Sequence, residues 1–193
     1  NGGKNCPPEE RVPLLALQNP GLKPEKAMHY ELGYFGSPLE NLYLEGSLYF
    51  SQMKNTIDRT DEDLTSFPGF AVTQSINLKG TTERKGIDLR ADYQWQERLA
   101  LGATYSYLHI QNREDKSYRF ENIPKHFGTA YLSYTPIHWV NIVPSVEYRS
   151  NSFADSKGKN RNPGYALYNL KVSFTPPQLK GTTVNFAVDN IFN

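Results

Sequence analysis

Leu42-Tyr43-Leu44-Glu45-Gly46-Ser47-Leu48-Tyr49-Phe50-Ser51 reads as two interleaved series. Successive side chains of an extended strand leave opposite faces. Leu42, Leu44, Gly46, Leu48 and Phe50 therefore share one face, and Tyr43, Glu45, Ser47, Tyr49 and Ser51 share the other. The same period of two returns downstream. Ile87, Leu89, Ala91 and Tyr93 alternate with Asp88, Arg90, Asp92 and Gln94. Val140, Ile142, Pro144, Val146 and Tyr148 interleave with Asn141, Val143, Ser145, Glu147 and Arg149, and Tyr168, Leu170, Val172 and Phe174 with Leu167, Asn169, Lys171 and Ser173. Each predicted strand is apolar on one side, and no helical period of comparable quality competes.

The composition hides this pattern. Hydrophobic residues make up 38% of the 193 residues, a value that suits a soluble protein. No run of about 18 apolar residues offers a transmembrane helix. The 13 Tyr and 10 Phe are the unusual feature, because transmembrane barrels set aromatic girdles at both interfaces. A net charge of +1, with the cations scattered, argues against a nucleic-acid partner. The chain opens without an initiator Met or an apolar leader, which is expected of a piece of something longer. Cys6 is the single cysteine, and it is either a free thiol or half of a disulfide whose partner precedes Asn1.

The connections discriminate further. Short turns are expected near Gly36 to Asn41, Trp95 to Arg98, Thr135 to His138 and Pro176 to Gly181, with long loops from Asp58 to Phe70, Asn112 to Pro124 and Ser150 to Pro163. Strict alternation of short turns and long loops belongs to outer-membrane barrels. It requires Val72 to Tyr93 to be one long strand, with Gly80 as a bulge or bend. Tyr34, Phe35, Tyr93, Trp95, Tyr134, Trp139 and Phe174 gather beside the short turns as an interfacial girdle. The expected fold is all-β: about eight strands of an antiparallel transmembrane β-barrel. A soluble β-sandwich fits less well, because the strands are long and the long loops lie at one end.

Several segments resemble those of TonB-dependent outer-membrane receptors. Asn19-Pro20-Gly21-Leu22-Lys23-Pro24-Glu25 followed by Tyr30-Glu31-Leu32-Gly33 is similar to the opening of a late barrel strand in that family. Asn77 with Gly86-Ile87-Asp88 resembles the family's Asn and Gly-Val-Glu, with Asp in place of the usual Glu. Ile123-Pro124-Lys125-His126, Pro163-Gly164-Tyr165 and Val188-Asp189-Asn190-Ile191-Phe192-Asn193 resemble later segments, in the family's order. The resemblance implies a barrel of about 22 strands closed by a plug. On that reading residues 1–26 are an extracellular loop leading into a strand, and residues 27–193 are the C-terminal part of the barrel, without the plug domain and the final strand. An open sheet of this kind could not work alone in lipid, where unpaired edge groups find no water. The implied setting is the outer membrane of a Gram-negative bacterium, in contact with its lipid. The implied activity is energy-coupled uptake through TonB, which would act on a segment outside this sequence. The implied cargo is a ferric siderophore first, with haem or cobalamin as alternatives.

Asp88, Arg90, Asp92, Glu147, Arg149, Asn169 and Lys171 are expected to face the lumen and plug, because charge is costly on a lipid face. Arg113, Lys116, Tyr118, Arg119 and Phe120 mix cations with aromatics, as suits an anionic, aromatic chelate, although a solvated loop has the same composition. Asp61-Glu62-Asp63 lacks the spacing of a calcium loop. His29, His109, His126 and His138 show no metal-ligand spacing and there is no nucleophile motif, so neither an enzyme nor a cofactor is expected. His109 beside a serine on a neighbouring strand is the one hydrolase arrangement left open. A passive porin or small structural barrel is the alternative to a receptor.

Overall fold

The computed structural model describes residues 14–60, 71–179 and 181–192. Cys6 and Asp61-Glu62-Asp63 lie outside the described residues. Thirteen strands follow in order: β1 (Leu14–Leu17), β2 (Lys26–Leu39), β3 (Leu42–Lys54), β4 (Ile57–Thr60), β5 (Ala71–Asn77), β6 (Thr81–Gln96), β7 (Leu99–Asn112), β8 (His126–Ile137), β9 (Val140–Arg149), β10 (Ser152–Phe153), β11 (Arg161–Asn162), β12 (Tyr165–Phe174) and β13 (Val184–Val188). Eight of them form one antiparallel sheet in the order β13-β12-β9-β8-β7-β6-β3-β2, which does not close on itself.

Every strand in this order pairs with its chain neighbour within the sheet, so the sheet is an up-and-down meander. At one end three two-residue turns, Glu40-Asn41, Glu97-Arg98 and His138-Trp139, close tight hairpins. They are tied sideways to the next strands: the Gln94 N–H donates to the Asn41 carbonyl at 2.8 Å, Thr135 N–H to Arg98 at 2.8 Å and Thr175 N–H to Trp139 at 2.9 Å. At the other end lie the described parts of the long connections, residues 55–60 and 71–80, 113–125 and 150–164. The turns near Gly36 and Thr135 are tighter than the sequence suggests. Strands β2 and β8 continue through register shifts at Gly36/Leu39 and Tyr134/Ile137 before reversing.

The segment from Val72 to Tyr93 is not one strand. It breaks at Leu78-Lys79-Gly80 into β5 and β6, which belong to different sheets. Gly80 is the bend, with φ at +85°, and the Glu114 carboxylate occupies the space a Cβ would need. That carboxylate accepts the Thr81 N–H at 2.6 Å, so the left-handed residue and the loop acid fix the kink together. The order of short and long connections survives, because β5 only extends the excursion between β3 and β6.

Beyond the kink, β1, β5 and β4 make a small accessory sheet at the long-loop end. Asn77 fastens the incoming chain to it. Its Nδ2 donates to the carbonyls of Lys23 at 2.9 Å and Asn55 at 2.7 Å, and its Oδ1 accepts the Lys23 N–H at 2.8 Å. Asn19 Nδ2 adds a bond to the Ser75 carbonyl at 2.9 Å, and Glu25 accepts the Ile57 N–H at 2.7 Å. The Asn-Pro-Gly-Leu-Lys-Pro-Glu stretch is therefore a strap laid on β4 and β5, and an amide side chain suits position 77 because it supplies two N–H donors and a carbonyl acceptor together.

Candidate functional site

The register sorts the large sheet into two faces. Asp88 stands opposite Ser47 and Ser106, Arg90 opposite Glu45 and Thr104, and Asp92 opposite Tyr43 and Gly102. The same rows run on through Thr129 to Glu147, Phe127 to Arg149, and Ser145 to Asn169. Lys171 follows Asn169 two residues along β12. All seven charged or amide residues singled out from the sequence thus share one face. Five of them, Arg90, Asp92, Glu147, Arg149 and Asn169, are engaged with one another or with neighbouring residues. Arg90 Nε donates to Asp92 Oδ2 at 2.6 Å, the Tyr131 hydroxyl to Asp92 Oδ1 at 3.0 Å, and Asn169 Oδ1 accepts the Asn190 N–H at 2.9 Å. Arg149 lies 3.7 Å from Glu147 and over the Phe127 ring at 5.4 Å.

The opposite face carries Tyr30, Leu32, Leu48, Leu89, Leu101 and Tyr148, all exposed, Leu32 to 73%. A soluble sheet covers such a surface. Tyr34, Tyr93, Tyr134 and Phe174 stand on this side near the short turns, where Trp95 packs edge-on to Tyr93 at 6.3 Å and Trp139 edge-on to Phe174 at 5.1 Å. Phe35 departs from the expected girdle: it pairs with Glu45 on the polar face.

At the long-loop end, loops 113–125 and 150–164 are stitched together. Arg119 N–H donates to the Ser156 carbonyl and Asn122 N–H to the Phe153 carbonyl, each at 2.8 Å, and Asn162 Nδ2 reaches Asn122 Oδ1 at 2.9 Å. Acidic turns shape both loops. Asp115 accepts from the Ser117 hydroxyl at 2.5 Å and from the Ser117 and Tyr118 N–H groups. The Ser117 hydroxyl bond is the main cause that holds the Asp115 carboxyl below its ordinary range. At Asp155 desolvation opposes ionisation, but the N–H groups of Asn160, Lys159 and Lys157 outweigh it and lower the carboxyl likewise.

Between these loops and the end of β7 that runs past its pairing with β8 opens a cavity of about 400 Å³. Lys116, Tyr118, Arg119 and Phe120 line it, four of the five loop candidates. Arg113 does not; it points to the apolar side of the sheet, 3.8 Å from Glu83. The sequence reading missed Lys125, Phe153 and Arg161, which also line the cavity. Phe153 is the centre of the arrangement, with the Arg119 guanidinium 5.5 Å and the Arg161 guanidinium 5.3 Å from its ring. Arg119 is braced by donating to the Lys116 carbonyl at 2.6 Å. Tyr118 donates its hydroxyl to Asp58 at 2.7 Å and packs edge-on to the buried Phe120 at 5.3 Å, joining the loop to β4. Among the described residues the lining includes Lys116, Arg119, Lys125 and Arg161 and no carboxylate side chain. Such a cavity favours an anion and offers ring faces to it. His109 bonds Gln111 at 3.2 Å and stands opposite Lys85, a position unlike the serine pairing left open from the sequence.

A one-sided apolar meander with two-residue turns at one end and long loops at the other is the wall of a transmembrane β-barrel. A model of the family described as TonB dependent receptor-like, beta-barrel matches residues 10–191, and the chain belongs to that family. Family membership places it in the outer membrane of Gram-negative bacteria, and the family is one of transporters and receptors rather than enzymes. The chain is 27% identical to the TonB-dependent heme receptor A of Haemophilus influenzae, over 68% of this chain and 18% of that protein. Among solved structures it is similar to the copper transporter OprC, with a TM-score of 0.73 at 18% identity over 90% of this chain and 26% of the other. The ferric citrate transporter FecA gives a TM-score of 0.70 at 24% identity over 88% and 27%. These two likenesses bear on the fold, and the chain spans about a quarter or less of the length of the proteins it matches.

Proposed function

We propose that the chain forms part of the wall and two of the outer loops of a receptor for TonB-dependent active uptake of a scarce, anionic ligand, with a ferric siderophore as the first candidate. The observation that carries this reading is the cavity around Phe153, where two guanidiniums share one ring and, among the described residues, no carboxylate side chain lines the space. Its volume of about 400 Å³ lies within the range of small-molecule sites, roughly 300–1,000 Å³. The family assignment supports a receptor over a passive porin. In this reading the long loops are external, the charged face is the lumen, and Asp88, Arg90, Asp92, Glu147, Arg149, Asn169 and Lys171 contact a plug or lumenal water. The TonB contact lies elsewhere in the full-length protein.

Growth of a strain lacking the full-length gene, on sole sources of ferric siderophore, haem iron or cobalamin, tests the activity. Loss of growth on one source, reproduced by loss of TonB, is the expected result and names the ligand class. Unchanged growth on every source with reduced permeability to small solutes would establish a passive pore instead. The facing of the sheet has its own test. Ala103 lies mid-strand on the apolar face and its neighbour Thr104 on the polar one. Ala103→Arg is expected to destabilise the folded barrel by about 2–4 kcal/mol, the cost of Arg at the bilayer midplane. Thr104→Arg should cost far less. Denaturant titrations in lipid vesicles compare the two, and equal costs would refute the assignment.

A further inference from the structure

Beside the cavity the β7–β8 ladder stops before β7 does. β7 runs to Asn112, but its pairing with β8 ends at Tyr107 opposite His126, followed by one bond from the Leu108 N–H to the Lys125 carbonyl at 2.9 Å. In an antiparallel ladder the backbone groups of successive residues point to opposite sides. The Arg113 N–H turns to β6, where it meets the Thr81 carbonyl, and the Leu108 N–H turns to β8. Ile110 has the parity of Leu108. Its N–H and C=O therefore point away from β6, on the side where the cavity opens, and Ile110 lines that cavity. Among the described residues neither group has a hydrogen-bond partner.

A continued β8 would bring Ile123 opposite Ile110, in the register set by Tyr107 and His126. The chain goes elsewhere. Asn122 turns it at a φ of +58°, the Asn122 N–H donates to the Phe153 carbonyl at 2.8 Å, and Glu121 bridges Phe153 in parallel. Loop 113–125 thus spends its pairing capacity on loop 150–164, and the place of a strand beside Ile110 is left to the cavity. Phe120, Phe153 and the four cations Lys116, Arg119, Lys125 and Arg161 surround that place.

A ligand that carries only carboxylates would satisfy the cations and leave both Ile110 groups unpaired. An extended peptide satisfies both. One of its residues can exchange two hydrogen bonds with Ile110, as an added strand does at an open sheet edge. Its carboxylates meet guanidiniums, which bind such groups in bidentate fashion.

We infer that the cavity takes its ligand as an added strand: an extended peptide bearing carboxylates, hydrogen-bonded to the Ile110 N–H and C=O and ion-paired to Arg119 and Arg161. The peptide is a free oligopeptide or the backbone of a metal chelate. The inference rests on the proposed reading of this cavity as the ligand site.

Isothermal titration of the full-length protein in detergent with N-acetyl-trivalyl-aspartate, alone and carrying a ferric trihydroxamate group, tests it and separates the two sources. Binding of the free peptide points to an oligopeptide, and binding of the iron-loaded form alone to a chelate backbone. Methylating successive amide nitrogens of the bound probe in turn should give alternating effects, because only every second N–H faces β7. The sensitive position should lose about 5- to 150-fold in affinity, the cost of leaving the Ile110 carbonyl unpaired, and its neighbours little. Ile110→Pro removes an N–H that serves no rung of the β6–β7 ladder, and should weaken the unmethylated probe by about 2- to 12-fold. The methylated probes test the parent protein directly, so the inference stays open to refutation if that variant does not fold. No binding of either probe, or methylation effects that are uniform or absent, would overturn it. Arg119→Ala combined with Arg161→Ala separates the causes of failure. If affinity ignores methylation but falls in this double variant, the edge is rejected and the anion cavity stands; if affinity ignores both, the cavity reading falls and the edge with it.

Discussion

Gly86→Val is expected to prevent assembly of the folded barrel. Intrinsic preference argues the other way, since valine is favoured in strands and glycine weakens them. The environment decides. A Cβ on Gly86 would overlap the Tyr107 carbonyl oxygen and the Tyr49 hydroxyl. Tyr49 stands directly opposite Gly86 across β3 and β6, so its ring lies over the glycine. The tyrosine could rotate away, but the carbonyl belongs to the neighbouring backbone and cannot move without parting β6 from β7. Overpacking a fitted site costs about 1–3 kcal/mol, and a backbone obstruction places Gly86→Val at the upper end or beyond.

Gly102 supplies the comparison. It stands directly opposite Tyr131, whose ring occupies the Cβ position, and the next obstruction is Asp92 Oδ1 at 2.7 Å. Both obstacles are side chains, so Gly102→Ala should be tolerated with loss of the Tyr131–Asp92 bond. The readout is the fraction of full-length protein that migrates as the compact, heat-modifiable band after refolding. A normal yield for Gly86→Val, or a worse one for Gly102→Ala, would show that the Gly86 contact is not what constrains the strand.

That pair of glycines also marks how far the sequence could be read. The two faces were legible because the side-chain period of a strand is fixed at two, so Asp88, Arg90 and Asp92 had to share a face with one another wherever the strand lay. Their common face with Glu147, Arg149, Asn169 and Lys171 follows from pairing between strands, which the short turns set. The Gly86-Ile87-Asp88 segment was noticed as a resemblance, yet the reason for its glycine, the Tyr107 carbonyl on one flanking strand and the Tyr49 ring on the other, appears only once the register is known. Gly80 was legible as an interruption but not as a boundary between two sheets, because the loop carboxylate that completes the bend comes from Glu114. The cavity was half legible. Tyr118, Arg119 and Phe120 announce themselves as a cation–aromatic run, whereas Phe153 and Arg161 sit in a separate loop and meet them only through the Asn122 and Ser156 contacts. Arg113 belongs to the same run in sequence and leaves it in space, because it continues the strand parity of β7 toward the apolar face.

The functional weight of the cavity should fall on Arg119 and Arg161 together. Each guanidinium already has one face of its environment satisfied by the Phe153 ring, which holds the planar group in place while leaving N–H donors for a ligand. A hydrogen bond to a charged partner contributes about 1.5–3 kcal/mol. Arg119→Ala or Arg161→Ala alone should therefore weaken binding of an anionic ferric chelate to the full-length protein by roughly 10- to 150-fold. The double variant should lose about 10² to 10⁴-fold, provided the two groups contact the ligand independently. Phe153→Leu keeps the charges and removes the ring, so it should cost about 1–2 kcal/mol from two exposed cation–π contacts. The ionic-strength dependence distinguishes charge recognition from a change of loop shape. Raising salt from about 0.15 M to 1 M shortens the screening length from about 8 Å to 3 Å. The parent's affinity should fall steeply over that range and the double variant's hardly at all. Isothermal titration with the chelate identified by the growth panel measures both. An affinity that survives the double substitution, with its salt dependence intact, would mean that the ligand binds elsewhere and that the Phe153 cluster merely ties the two loops together.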